Sequence, residues 1–187
     1  MRSGGHGRAG HGTSEGGIVL DLSAMNAVEV DSDGRTAWAQ TGITAGDYTK
    51  ATGEYGLPTG LGDTPTVGLG GITLSGGIGY LVRRYGLTVD DVLAAELVTA
   101  DGALLEADEQ THPDLFWALR GGGGNFGVAT RLRFRLHEID EVVGGMLMLP
   151  ASADVITGLV AVAEAAPEEL FVIANILRAP ADAFHSS

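Results

Sequence analysis

Apolar and polar positions along the chain fall into short alternating stretches separated by glycine-rich connections. Residues 18–22, 28–30 and 36–40 read as strands, with Asp33-Gly34 as the turn before the third. Residues 92–99 and 103–107 read as a hairpin closed at Asp101-Gly102. Between 128 and 136, Leu132, Phe134 and Leu136 alternate with Arg131, Arg133 and Arg135. Period two means a strand, with one apolar face and one solvated or salt-bridged basic face. Residues 146–149 and 171–177 supply two further strands.

Four segments read as helices. Thr44 caps a short helix over 45–52, closed by Gly53 or Gly56. Residues 76–85 read as a glycine-tolerant helix closed by Gly86. Glycine inside a helix costs about 1 kcal/mol, so Gly76, Gly77 and Gly79 imply close approach of another surface. Thr111 or His112 caps a helix with Pro113 in its first turn and an apolar face of Leu115, Phe116 and Leu119. Phe116 and Trp117 are assigned to the core. The fourth helix covers 153–165. Residues 57–71 hold too many Gly, Pro and Thr for regular structure and read as a loop. The order of elements is mixed, which makes the fold class α+β.

Composition narrows the function. The 187 residues carry 11 basic and 24 acidic side chains, net −13. That field repels nucleic acid and anionic membrane surfaces, so neither is an expected partner. No apolar run approaches the roughly 20 residues that span a bilayer. There is no cysteine, hence no disulfide, thiolate metal site or cysteine nucleophile. Lys50 is the one lysine and lies in no Gly-Lys-Ser/Thr step, which excludes a P-loop. These features fit, weakly, a cytoplasmic protein.

Glycine is unevenly placed: 21 of 30 lie in residues 1–86. The first twelve residues contain Arg2, Arg8, His6 and His11 and no acid, a locally basic opening to an acidic chain. This segment is either a loose glycine-rich terminus or an anion cradle. In a cradle, consecutive glycines let backbone amides turn inward around phosphate oxygens, with Arg2 and Ser3 as further donors. His6 and His11 lack the acidic or thiolate partners that would complete a metal shell. Asp90-Asp91 reads as a turn and not as a carboxylate pair. The run from Gly122 to Gly127 satisfies G-x-G-x-x-G, but a helix-like segment precedes it and a strand follows it. No helix N-terminus is available for a pyrophosphate there, which argues against a Rossmann site and leaves a tight helix-to-strand connection.

Three segments then combine. They are Arg2-Ser3-Gly4-Gly5-His6-Gly7; Pro65-Thr66-Val67-Gly68-Leu69-Gly70-Gly71 with Gly76-Gly77-Ile78-Gly79-Tyr80-Leu81 and Arg84-Tyr85-Gly86-Leu87; and Phe116-Trp117-Ala118-Leu119-Arg120 running through Gly121 to Val128. In this order they resemble the FAD-binding PCMH-type domain of the vanillyl-alcohol-oxidase superfamily, and within it the berberine-bridge-enzyme-like flavin oxidoreductases. The resemblance covers roughly residues 2–140.

The resemblance implies two α+β subdomains holding an extended FAD between them over residues 1–140, with 141–187 beginning a substrate-binding domain. It implies that Arg2, Ser3, Gly4, Gly5, His6 and Gly7 form the pyrophosphate loop, and that His6 carries a covalent bond to the flavin 8α-methyl. It places Thr64, Thr66, Val67, Gly68, Gly71, Thr73, Gly76 and Gly77 along the ribityl chain and ring, and Gly127 and Val128 at the cofactor's far end. The implied activity is hydride transfer from a small-molecule C–H to flavin N5, with oxygen or another acceptor reoxidising the flavin. Sugars, alcohols, amines and secondary metabolites are substrates across the wider family.

Two departures qualify this. Thr64 stands where doubly tethered members have a cysteine, so any link is single. Ile72 stands where some members have histidine. None of Tyr48, Tyr55, Tyr80 or Tyr85 matches the family's usual catalytic base, so no catalytic acid or base is assigned. The chain reads as truncated at both ends, which leads to an expectation of reduced stability. The alternatives to an active oxidoreductase are a truncated, catalytically inactive remnant that binds FAD or nothing, and a glycine-rich structural or interaction module without cofactor.

Overall fold

The computed structural model describes residues 1–139 and 141–178. It divides into two compact units, Met1–Val142 and Val143–Ser187. The first is built on five antiparallel strands: β1 (Val28–Asp31), β2 (Thr36–Gln40), β3 (Val92–Val98), β4 (Leu104–Asp108) and β5 (Val128–Arg135). Their order across the sheet is β1-β2-β5-β3-β4. The last strand in sequence is therefore the central one, inserted between β2 and β3.

The alternation of β5 explains that position. Ala129, Leu132 and Phe134 are buried on one face, while the arginines occupy the other. Arg131 pairs with Glu96 directly opposite on β3, with 3.0 Å between Nη2 and Oε2, and its guanidinium lies 4.7 Å from the Trp38 ring centroid on β2. Arg133 donates to the Thr36 hydroxyl at 3.2 Å. The basic face is thus knitted to its neighbours as the sequence indicates.

The apolar face is covered by short helices. In α1 (Ala45–Gly53), Thr44 accepts a capping bond from the Asp47 amide at 3.2 Å, and Tyr48 turns inward to meet Phe134 with ring centroids 5.3 Å apart. The Tyr48 hydroxyl pairs with that of Thr59 at 3.0 Å. Burial pushes its pKa far up, so this tyrosine is a core group and not an acid–base candidate. α4 (Pro113–Leu119) buries Phe116 and Leu119. In the second unit, α5 (Ala153–Ala165) starts at Ser152, whose Oγ accepts from the Val155 amide.

Several sequence expectations are corrected. Residues 18–22 form a single parallel bridge, Arg2 to Asp21, and not a strand. Only Arg2 is there to share a ladder: its amide donates to Leu20 O and its carbonyl accepts from Leu22 N, both at 2.8 Å. Residues 146–149 and 171–177 are not strands either, having no ladder partner among the described residues. The helix expected over 76–85 shrinks to α3 (Val82–Tyr85), because Gly76 and Gly77 adopt φ of +107° and +80°, outside any right-handed helix. Helix α2 (Leu69–Leu74) forms upstream instead, where a loop is expected. Its first amides are taken up by tertiary acceptors, Leu69 N by Ile43 O and Gly70 N by Thr41 O. Tertiary bonding overrides the poor local propensity. His112 precedes α4 in a left-handed conformation without capping it through its side chain, and Trp117 is 75% exposed and not in the core.

Sequence reasoning also misses a buried ion-pair geometry. The 3₁₀ turn Thr88–Asp91 aims Asp91 inward, where its Oδ1 meets His137 Nε2 at 2.8 Å. The imidazole stacks on Tyr85 with centroids 3.9 Å apart, and the His137 amide donates to Pro58 O. These contacts tie the chain after β5 to three separate segments. Replacing Asp91 by alanine leaves the imidazole without its partner, an expected loss of about 1–3 kcal/mol in chemical denaturation. A double-mutant cycle with His137→Ala should be clearly non-additive. Additive losses would show that the pair carries no coupling.

Candidate flavin cradle

The candidate site assembles around Thr41, which follows β2 and is buried. Its amide donates to Thr130 O at 3.0 Å and its hydroxyl to Ala129 O at 2.6 Å, which fixes it to β5. Its carbonyl accepts from Ser3 Oγ at 2.6 Å and from Gly70 N at 3.0 Å. One residue thereby joins the opening loop, the start of α2 and the strand that follows the third glycine run. Nothing in the local sequence marks Thr41, because its role lies entirely in long-range bonds.

The opening loop and the 64–71 segment lie in direct contact. A Cβ on Gly4 would come within 2.7 Å of Thr66 O and closer still to Gly68 N, and one on Gly68 would overlap Ser3 and Gly4. Across this contact His6 Nε2 and Thr66 Oγ1 are 3.0 Å apart. The 64–71 segment is held from behind by the start of α1: Gly46 N donates to Pro65 O at 2.9 Å and Ala45 N to Val67 O at 2.8 Å.

Not every candidate residue is left open to a ligand. Ser3 spends its hydroxyl proton on Thr41. Arg2 pairs with Asp21 at 2.5 Å, so both side chains brace the loop. Thr64 donates to Asp63, while Val67 lies half-buried in the braced segment. A Cβ on Gly77 would strike Thr88, and one on Gly127 would lie 2.6 Å from Val98 O. The close approach inferred for these glycines is to the chain itself. Val128 enters the ladder opposite Val98.

Other candidates face outward. Gly7 and Gly71 have nothing near a notional Cβ, and Gly5 and Gly76 have nothing within 3.4 Å. The amides of Gly5, His6 and Gly7 donate to no acceptor among the described residues. Thr73 Oγ1 is buried with no hydrogen-bond partner there. A run of unsatisfied amides and an open glycine-lined helix suit an anionic, extended ligand. A separate concavity of about 540 Å³, lined by residues including Arg35, Tyr85, Arg135 and His137, lies at the opposite end of β2 and β5 and contains none of these candidates.

The chain is similar to known proteins. A family model described as an FAD binding domain matches residues 1–108. The chain is 41% identical over 160 residues to (R)-6-hydroxynicotine oxidase of Paenarthrobacter nicotinovorans, a match covering 85% of this chain and 35% of that protein. It is 37% identical over 183 residues to berberine bridge enzyme-like 5 of Arabidopsis thaliana, covering 92% of this chain and 34% of the relative. The crystal structure of 6-hydroxy-D-nicotine oxidase from Arthrobacter nicotinovorans superposes with a TM-score of 0.72 at 44% identity, over 73% of this chain and 30% of that one. The chain spans about a third of the length of these relatives.

Two outcomes follow from the site geometry. Gly68→Ala forces the opening loop off the 64–71 segment and should cost about 1–3 kcal/mol. Gly71→Ala, in a helix and facing open space, should gain about 0.5–1 kcal/mol. Thermal melts of the two variants decide the signs, and faster amide exchange in residues 1–8 of Gly68→Ala locates the damage.

The second concerns Asp21. Its carboxyl is held below the ordinary 3.8, first by the Ser23 amide, then by the Ser23 side chain and by Arg2. A depressed pKa contributes stability above the unfolded value and loses it as pH falls through the folded one. Asp21 should therefore titrate by NMR below 3.8, with the Arg2 bridge lost only at that lower pH; a midpoint at or above the ordinary value would contradict the bridge.

Proposed function

The chain belongs to the FAD binding domain family, and from that premise we propose that it is the cofactor-binding part of an FAD-dependent oxidoreductase acting on a small molecule. Bound FAD would supply the redox chemistry, with N5 as the acceptor for hydride from a substrate C–H and oxygen or another acceptor as its oxidant. The protein's part is to bind and orient. The amides of Gly5, His6 and Gly7 hold the diphosphate, while Arg2 and Ser3 keep that loop in shape. Gly71 and Gly76 leave room for the ribityl chain and ring beside α2. His6 carries a single covalent bond to the flavin. Residues 1–140 constitute the FAD-binding domain and 141–187 the beginning of the substrate-binding domain.

The observation that carries this reading is the contact of the His6 loop with the 64–71 segment. Two glycine-rich stretches about 60 residues apart in sequence meet, with open amides on one and the open Gly71 at the end of the other.

The test is to express the full chain, load it with FAD and precipitate it with acid. A yellow pellet with the FAD mass on the His6 peptide is expected, and His6→Ala should release the colour to the supernatant. Gly71→Ala should weaken FAD binding at least tenfold while leaving the melting temperature unchanged or raised. Wild-type colour in the supernatant would reject the tether alone. A colourless wild-type protein would reject cofactor binding and favour the inactive-remnant reading.

A further inference from the structure

We propose that Thr66 is a positioning residue for His6, its hydroxyl holding Nε2 so that Nδ1 is the ring nitrogen open to the flavin. The inference rests on the reading of His6 as the attachment point. Its ground is the 3.0 Å contact between His6 Nε2 and Thr66 Oγ1, made across 60 residues of sequence. Neither side of that contact is adrift. Thr66 lies between Pro65 and Val67, whose carbonyls are bonded to Gly46 N and Ala45 N. His6 follows Gly4, packed on Gly68, and Gly5, at φ +75°. The imidazole thus meets a hydroxyl whose backbone is fixed on both sides.

A neutral imidazole has one N–H and one lone pair, and only the nitrogen with the lone pair can attack carbon. With Nε2–H donating to Thr66 Oγ1, the lone pair is on Nδ1. A bond from Nδ1 to the 8α-carbon replaces one methyl C–H, and the Nε2 proton leaves. The two protons and two electrons released reduce one dioxygen, the oxidant of this step, to hydrogen peroxide. The attached imidazole then has a bare Nε2, which needs a donor. A hydroxyl serves both states, as acceptor before the bond forms and as donor afterwards. Valine serves neither, and serine serves both.

The test uses the full chain. In the FAD-free protein near neutral pH, long-range ¹H–¹⁵N spectra of the His6 ring should show the proton on Nε2, protected from exchange in the wild type and in Thr66→Ser but not in Thr66→Val. FAD is then added and acid-stable flavin followed in time. Loss of the outer hydrogen-bond partner of a metal-ligating histidine costs about 10–100-fold, and the same range is expected for a histidine that attacks carbon. At saturating FAD, Thr66→Val should slow tethering by that factor and Thr66→Ser by less than threefold, with the melting temperature unchanged in both. A proton on Nδ1 in the wild type, or wild-type tethering in Thr66→Val, overturns the proposal. If the wild type forms no acid-stable bond, the tether reading fails by itself. The ring spectra still decide the Thr66 pairing: loss of Nε2–H protection in Thr66→Val supports it, and an unchanged ring overturns it.

Discussion

The constraint on which the site depends is the set of four hydrogen bonds at Thr41. This residue is buried, so each of its polar groups needs a partner inside the protein. The amide and hydroxyl find theirs on β5, and the carbonyl accepts from Ser3 and Gly70. Removing β5 would strand the amide and hydroxyl in the interior, and removing the opening loop or the start of α2 would leave the carbonyl with one donor in place of two. The opening loop and α2 are therefore positioned by the central strand of the sheet and not by their own weak local preferences. The loop's position is independent of what it binds, which is the condition for a cradle that exists before its ligand arrives.

Glycine content alone is a poor guide to where a ligand lies. Gly4 and Gly68 are small because two backbones touch there, and Gly127 because Val98 O is close. Gly77 is small because Thr88 abuts it, and its amide-bearing neighbourhood is bonded through Gly77 O to the 3₁₀ turn. Only where no chain atom fills the missing side chain, as at Gly7 and Gly71, does the absence of Cβ leave space for something else. The first kind of glycine builds the walls and the second leaves the opening. Both kinds occur within single motifs, which is why the motif marks the region while only the structure separates the two.

The sheet is legible in the sequence where burial is one-sided. The alternation of Leu132 and Phe134 with the arginines identifies β5, and the Asp101-Gly102 turn identifies the β3–β4 hairpin. Both signals are local and both elements form as expected, within a residue or two. Residues 18–22 and 76–85 fail for a common reason: a strand exists only with a partner, and positive φ at glycine is set by packing. Apolar content cannot report either. Trp117 fails differently, since its place beside Phe116 says nothing about which side of a two-turn helix is covered. At the site, the loop residues and their meeting were legible through the resemblance. Thr41 and the pairing of Thr66 with His6 were not, because a threonine in a loop carries no periodicity.

The electrostatics of the opening loop show why a net charge of −13 is compatible with an anionic ligand. The one guanidinium nearest the cradle, Arg2, is already matched by Asp21. What remains for a phosphate is a row of neutral donors, and partial charges act over a few ångströms, well inside the distance at which salt screens the protein's overall field. The first twelve residues themselves contain no acid, and Asp21, the acid bonded to the loop, is held on Arg2. The same separation bears on His6. Its partner across the contact is a neutral hydroxyl, so the ring is oriented by one hydrogen bond and not by the surrounding field.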